Sequence, residues 1–251
     1  MRRFPSQSVQ RPSCPKKNEN CDNPLHDRYC NTNPALVNVL YFHGFASSPN
    51  SQKLLALRDL LGSGVTLNSP DMNVPSFERL DFEAMVKLAL DEAHRSAPHV
   101  IVGSSLGAMV ALELVRRGVV APLVLIAPAV GVGERWGSRL PPGDPIEVFN
   151  HVRKGNAQIH RAFFEKMAAV RPEAEAPSSR VTVIVGRKDE SVPFDWVRGV
   201  WESWTKSGKL IAGSKFIEIA GGDHGLVAYA DVVAREITSA GSQASGSFAT
   251  G

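Results

Sequence analysis

The chain has 251 residues, a length that suits one α/β domain able to build its core without metals or disulfides. Hydrophobic residues make up 43% and charged residues 21%, which fits a soluble globular protein and excludes a wholly disordered one. The formal net charge of +3 comes from residues 1–34, with six basic and three acidic side chains, so the remainder carries no basic excess to attract nucleic acid.

Residues 1–34 are rich in Pro, Asn, Ser and charge and poor in large apolar residues, so they are expected to form a disordered tail. Cys14, Cys21 and Cys30 all fall in it, at spacings that match no common zinc pattern, and are read as reduced thiols. Arg2-Arg3 precedes no apolar stretch, and no apolar run approaches the ~18 residues of a membrane span. A cytoplasmic location is therefore expected.

From residue 35 to 239 strands and helices alternate. Leu36–Phe42 reads as a strand running into His43-Gly44-Phe45, followed by a helix over 51–61. A strand over 64–68 and a helix over 82–95 come next. The strand over 99–103 ends in Gly103-Ser104-Ser105-Leu106-Gly107, and a helix over 106–117 follows at once. A small-x-Ser-x-small turn between strand and helix is a nucleophile elbow. It predicts a strained, exposed Ser105, with glycines where side chains would collide with the neighbouring strand and helix.

After a strand over 122–127 the rhythm breaks. Residues 131–136 and 140–145 read as loops, while Ile159, Phe163, Phe164 and Met167 have helical spacing. The segment 129–178 is expected to form a small cap insertion. A β-branched strand over 180–185 then leads to Asp189, and a helix spans 195–206. The strand over 215–219 runs into Gly221-Gly222-Asp223-His224-Gly225, ahead of a helix over 226–239. The Gly/Ser/Ala-rich end, 240–251, is expected to be loose.

Such alternation implies a parallel sheet with helices on both faces. It brings the loops that follow strands to one edge, where ligands bind. His43, Ser105, Asp189 and His224 all follow strands. Their chemistry is complementary. A serine hydroxyl needs a base to become a nucleophile. A histidine can take the proton and return it to the leaving group. A buried carboxylate fixes the histidine tautomer. Glu190, Asp195 and Asp223 compete with Asp189 for the acid role. Asp223 adjoins His224, where side chains point apart, and Asp195 is explained as a helix-start residue. The backbone N–H groups of Phe45 and Leu106 are the expected oxyanion donors, with His43 and Gly44 supporting that loop. Trp201 and Trp204 read as core residues.

These segments resemble the α/β-hydrolase superfamily and, within it, the small bacterial esterases of the YqiA type. The resemblance is carried by Tyr41–Pro49 with Lys53 beyond, by Val102–Gly107, by Ala127–Val130 and by Gly221–His224, and it spans residues 36 to 240. The middle segment and the Asp189 loop depart from the family pattern. The resemblance implies a Ser105–Asp189–His224 triad hydrolysing a small-molecule carboxylic ester, with no cofactor or metal. A thioesterase, a lipase-like enzyme or a C–C bond hydrolase would use the same triad. A non-catalytic hydrolase-fold binding protein is the reading of another class, and it predicts a damaged triad.

Overall fold

The computed structural model describes residues 36–137 and 140–247. The expected tail 1–34, its three cysteines and residues 248–251 lie outside the described residues.

Six strands form one parallel sheet. They are β1 (Val37–Phe42), β2 (Val65–Asn68), β3 (Val100–Ser104), β4 (Leu123–Ile126), β7 (Val181–Gly186) and β8 (Lys215–Ile219). The sheet order is β2-β1-β3-β4-β7-β8. The register pairs Tyr41 with Val102, and Ser104 with Ile126. The central strands are buried on both faces, which explains their unbroken apolar runs.

Strand alternation divides the core in two. Val39, Tyr41, Val100, Val102, Val124 and Ile184 face α1 (Gln52–Leu61) and α7 (Ala230–Ser247). Leu40, Phe42, Ile101, Leu123, Leu125 and Val183 face α2 (Phe82–Ser96), α3 (Leu106–Arg116) and α6 (Phe194–Lys206). The helix starts are chemically marked. Ser51 accepts from Leu54 N–H and Asp81 from Ala84 N–H, each as a side-chain N-cap.

Three expectations are corrected. Residues 131–136 are not all loop, because Val132–Gly137 forms the short helix α4. Val132 of that helix is buried against the core, a tertiary contact that outweighs the two glycines. An unexpected antiparallel hairpin, β5 (Ile146–Asn150) and β6 (Gly155–Ile159), precedes α5 (Arg161–Met167). Its ladder buries Ile146 and Ile159 on one face and leaves Glu147 and Gln158 polar, a short alternation hidden between turn residues. The segment expected to be loose from residue 240 instead continues α7 to Ser247. Ala240 is buried there and Gly241 lies against Val37, so close that a Cβ would collide with it. That packing against β1 supports the helix at Ala240 and Gly241 despite weak helix formers there.

The segment between β4 and β7 reaches across to the loops after β1 and β2. His151 N–H donates to the Ala46 carbonyl at 3.2 Å, and His160 N–H to the Glu78 carbonyl at 2.9 Å. Lys166 pairs with Asp81 at 2.7 Å. Among the described residues, no helix is long and apolar enough to cross a membrane.

Candidate active site

Ser105 stands between β3 and α3 with φ 53° and ψ −116°, a conformation that L-residues rarely adopt. The turn closes because glycines flank it. A Cβ at Gly107 would run into the Phe42 carbonyl, and one at Gly103 would lie 2.5 Å from the Ala108 Cα. Backbone bonds hold the strained residue from both sides. Ser105 N–H donates to Ile126 at 2.9 Å, and the Ser105 carbonyl accepts from Ala129 at 3.2 Å.

His224 comes from the loop after β8. Its Nε2 lies 3.0 Å from Ser105 Oγ, and its Nδ1 lies 2.8 Å from Asp189 Oδ2. The Asp189 side chain is fully buried, whereas that of His224 is 29% exposed, so the carboxylate is shielded and the ring keeps contact with solvent. The other Asp189 oxygen, Oδ1, accepts from the N–H groups of Ser191 and Val192 at 2.9 and 2.7 Å. Those two bonds fix the carboxylate's orientation and satisfy it in its buried place. The end of β7 and the loop after β8 approach closely, since a Cβ on Gly186 would lie 2.2 Å from the Gly222 carbonyl oxygen.

The rivals for the acid position are accounted for elsewhere. Asp223 Oδ1 accepts from Leu226 N–H at 2.8 Å. Asp195 is exposed and pairs with Arg198 at 3.1 Å. Glu190 is exposed on the turn. Of the four carboxylates, it is Asp189 whose oxygen meets the His224 ring.

The loop after β1 lies on the other side of Ser105. A Cβ at Gly44 would come within 3.1 Å of the Ser105 Cβ, so this backbone passes directly beside the serine. Leu106 opens α3, and its N–H has no carbonyl partner within the helix. His43 is buried. Met72 N–H donates to its Nε2 at 2.9 Å, which leaves Nδ1 to carry the proton and donate it to the Gly44 carbonyl at 2.9 Å. In this tautomer His43 ties the loops after β1 and β2 together.

Above the loop, five aromatic rings cluster. Phe45 lies 5.3 Å from Trp136, 5.9 Å from Phe77 and 6.0 Å from both Phe163 and Phe164, centroid to centroid. Trp136 meets Phe164 edge-on at 5.0 Å. The segment between β4 and β7 thus presents an apolar wall to the loop beside Ser105.

The sequence offers Lys53 only as part of the family resemblance and gives it no partner. Lys53 Nζ donates to Ser104 Oγ at 2.8 Å. A lysine two residues after a serine N-cap looks like any helix-surface lysine, so only its three-dimensional neighbours single it out. Among the described residues no group of three or more His, Cys, Asp or Glu side chains is placed to hold a metal ion.

Residues 38–229 match the Uncharacterised protein family (UPF0227). The chain belongs to this family. No curated protein matches it. The UPF0227 chain resembles several solved structures of α/β-hydrolases. Est1E of Butyrivibrio proteoclasticus, solved with ferulic acid bound, is 18% identical with a TM-score of 0.66, covering 82% of this chain and 89% of its own. A monoacylglycerol lipase of Paleococcus ferrophilus is 17% identical with a TM-score of 0.63, covering 80% and 94%. An esterase domain from Rhodothermus marinus is 16% identical with a TM-score of 0.61, covering 82% and 86%. At these identities the likeness shows a shared fold, and this UPF0227 chain has the α/β-hydrolase fold.

Proposed function

We propose that this chain is a serine hydrolase that cleaves carboxylic esters of small to medium acyl groups through an acyl-serine intermediate. One observation carries the reading. Ser105, His224 and Asp189 form an unbroken hydrogen-bonded run with spacings of 3.0 and 2.8 Å. A non-catalytic binding protein would have no use for that run.

In this mechanism His224 Nε2 takes the Ser105 proton as Oγ attacks the ester carbonyl. Negative charge builds on the carbonyl oxygen, where the N–H groups of Phe45 and Leu106 receive it. His43 and Gly44 hold the Phe45 loop for that task. Asp189 supports the imidazolium, which then gives its proton to the departing alkoxide. Water enters, loses a proton to His224 and hydrolyses the acyl-serine. The acid is released and Ser105 recovers its proton.

The aromatic wall of Phe45, Trp136, Phe163 and Phe164 supports an apolar acyl pocket of limited depth, under a cap formed by residues 129–178. The esterase and lipase names among the structural neighbours agree with an ester substrate. A series of p-nitrophenyl esters of increasing acyl length, set beside the matching acyl-CoA thioesters, tests this reading. kcat/KM should peak on short to medium oxygen esters. Selective turnover of the thioesters, or activity confined to emulsified long-chain triglyceride, would overturn it.

A further inference from the structure

A lysine lies beneath the elbow. Lys53 Nζ donates to Ser104 Oγ at 2.8 Å, and Ser104 is the residue immediately before the strained serine. Ser104 is 5% exposed, and the Tyr41 phenol is an electrostatic neighbour of its side chain. Tyr41 is buried in β1, and that burial raises its phenol above the usual range. The charged groups facing Lys53 come from other elements, with Asp189 in the loop after β7 and Asp223 in the loop after β8. Burial pushes the Lys53 ammonium down to about 8, and the two carboxylates oppose it without restoring the ordinary value.

Lys53 is half-buried, and withdrawing an ammonium even partly from water carries a cost. A methionine would follow the same path and fill the space without that cost. A strained residue persists only where its surroundings over-determine it. Ser104 is gripped by its strand neighbours through the backbone and by Lys53 through the side chain.

We propose that Lys53 is a positioning residue for the hydrolysis, bracing the Ser105 elbow through Ser104 Oγ and keeping a positive charge within electrostatic reach of Asp189. The inference deepens the serine-hydrolase reading and rests on it. Lys53 touches no reacting atom and acts through its neighbours. Loss of its proton at alkaline pH weakens a charge-assisted hydrogen bond to a neutral one and removes the charge facing Asp189.

The test compares wild type with Lys53→Met, Lys53→Arg, Ser104→Ala and the Lys53→Met/Ser104→Ala double variant. kcat and KM for p-nitrophenyl acetate are followed over roughly pH 6 to 10 alongside Tm. In Lys53→Met, kcat should fall by about tenfold or more while KM stays within about twofold. Ser104→Ala should lose a similar factor, and the double variant should be no worse than either single one, because both remove one brace. Wild-type kcat should decline on the alkaline side around pH 8. Lys53→Arg keeps its charge, so it should retain most activity below that pH and lose the decline.

Stability supplies the readout that a structural lysine would move in the opposite direction. The Lys53 value in the fold, about 8, lies below the ~10.4 of an unfolded lysine. Its charge therefore costs stability in full below about pH 8, and the cost lifts as pH rises toward ~10.4. Lys53→Met should hold or raise Tm near pH 7, with the gain shrinking in alkali. Wild-type kcat and pH profile in Lys53→Met would overturn the inference, as would activity lost only in step with a lowered Tm. If wild type itself turns over no ester and Ser105 resists a fluorophosphonate, the serine-hydrolase reading has failed instead.

Discussion

Asp189 holds His224 with one carboxylate oxygen and its own turn with the other. Oδ2 meets His224 Nδ1 at 2.8 Å, and Oδ1 accepts the N–H groups of Ser191 and Val192. The two oxygens separate the orientation of the carboxylate from its contact with the imidazole.

That separation makes Asp189→Asn informative. The amide can keep its oxygen on the two backbone N–H groups and turn its NH2 toward His224, which forces the wrong imidazole tautomer. The fold should survive while kcat falls on the order of 10³–10⁴-fold. Asp223→Asn alters the Leu226 N–H bond and one of the two charges facing Lys53, and Asp195→Asn only an exposed ion pair, so both should lose less than about tenfold. Far-UV circular dichroism and steady-state kinetics on the three variants decide the assignment.

The elbow should be intolerant of even one methyl group. Gly107→Ala drives a Cβ into the Phe42 carbonyl, which is backbone of a central strand and cannot move aside cheaply. Urea unfolding should show a loss of about 1–3 kcal/mol together with a severe loss of activity. Gly199→Ala is the contrast. It lies exposed in α6 with nothing within 4 Å of a new Cβ, and it should gain about 0.5–1 kcal/mol with activity intact.

Acid sensitivity should have a source in α3. Burial pushes the Glu113 carboxyl up, but hydrogen bonds from Arg116 at 2.6 Å and Arg117 at 2.8 Å outweigh it and leave the group below its usual range. A carboxyl lowered in the fold stabilises fully above its unfolded value of ~4.3 and loses that contribution as pH falls further. Glu113→Gln should therefore cost about 1–3 kcal/mol near neutral pH, with the gap to wild type closing below about pH 4. Thermal melts at pH 7 and in the acid range measure both halves of the expectation.

The sheet and the three residues of the hydrogen-bonded run were legible because each is written locally. Val100–Val102 is an apolar strand, Gly103 and Gly107 bracket a tight turn, and Asp189 and His224 each follow a strand. Parallel connectivity then brings their loops to one edge. The hairpin β5–β6 was hidden because its ladder is short and half-buried, and its alternation is too brief to separate from loop sequence. Helix α7 ran past its expected end because Gly241 packs against Val37, a contact about two hundred residues away in sequence. The hydrogen bond from Lys53 to Ser104 was illegible for the same reason. The two residues are 51 apart, and neither carries a local signature of the other.

The central claim is that Ser105 is the attacking atom's residue, and covalent labelling followed by mass spectrometry tests it most directly. Wild-type protein treated with a fluorophosphonate should gain one adduct that maps to Ser105. Ser105→Ala should take up none, and its ester turnover should fall by several powers of ten. An adduct on another residue, or Ser105→Ala hydrolysing p-nitrophenyl esters at the wild-type rate, would contradict the account.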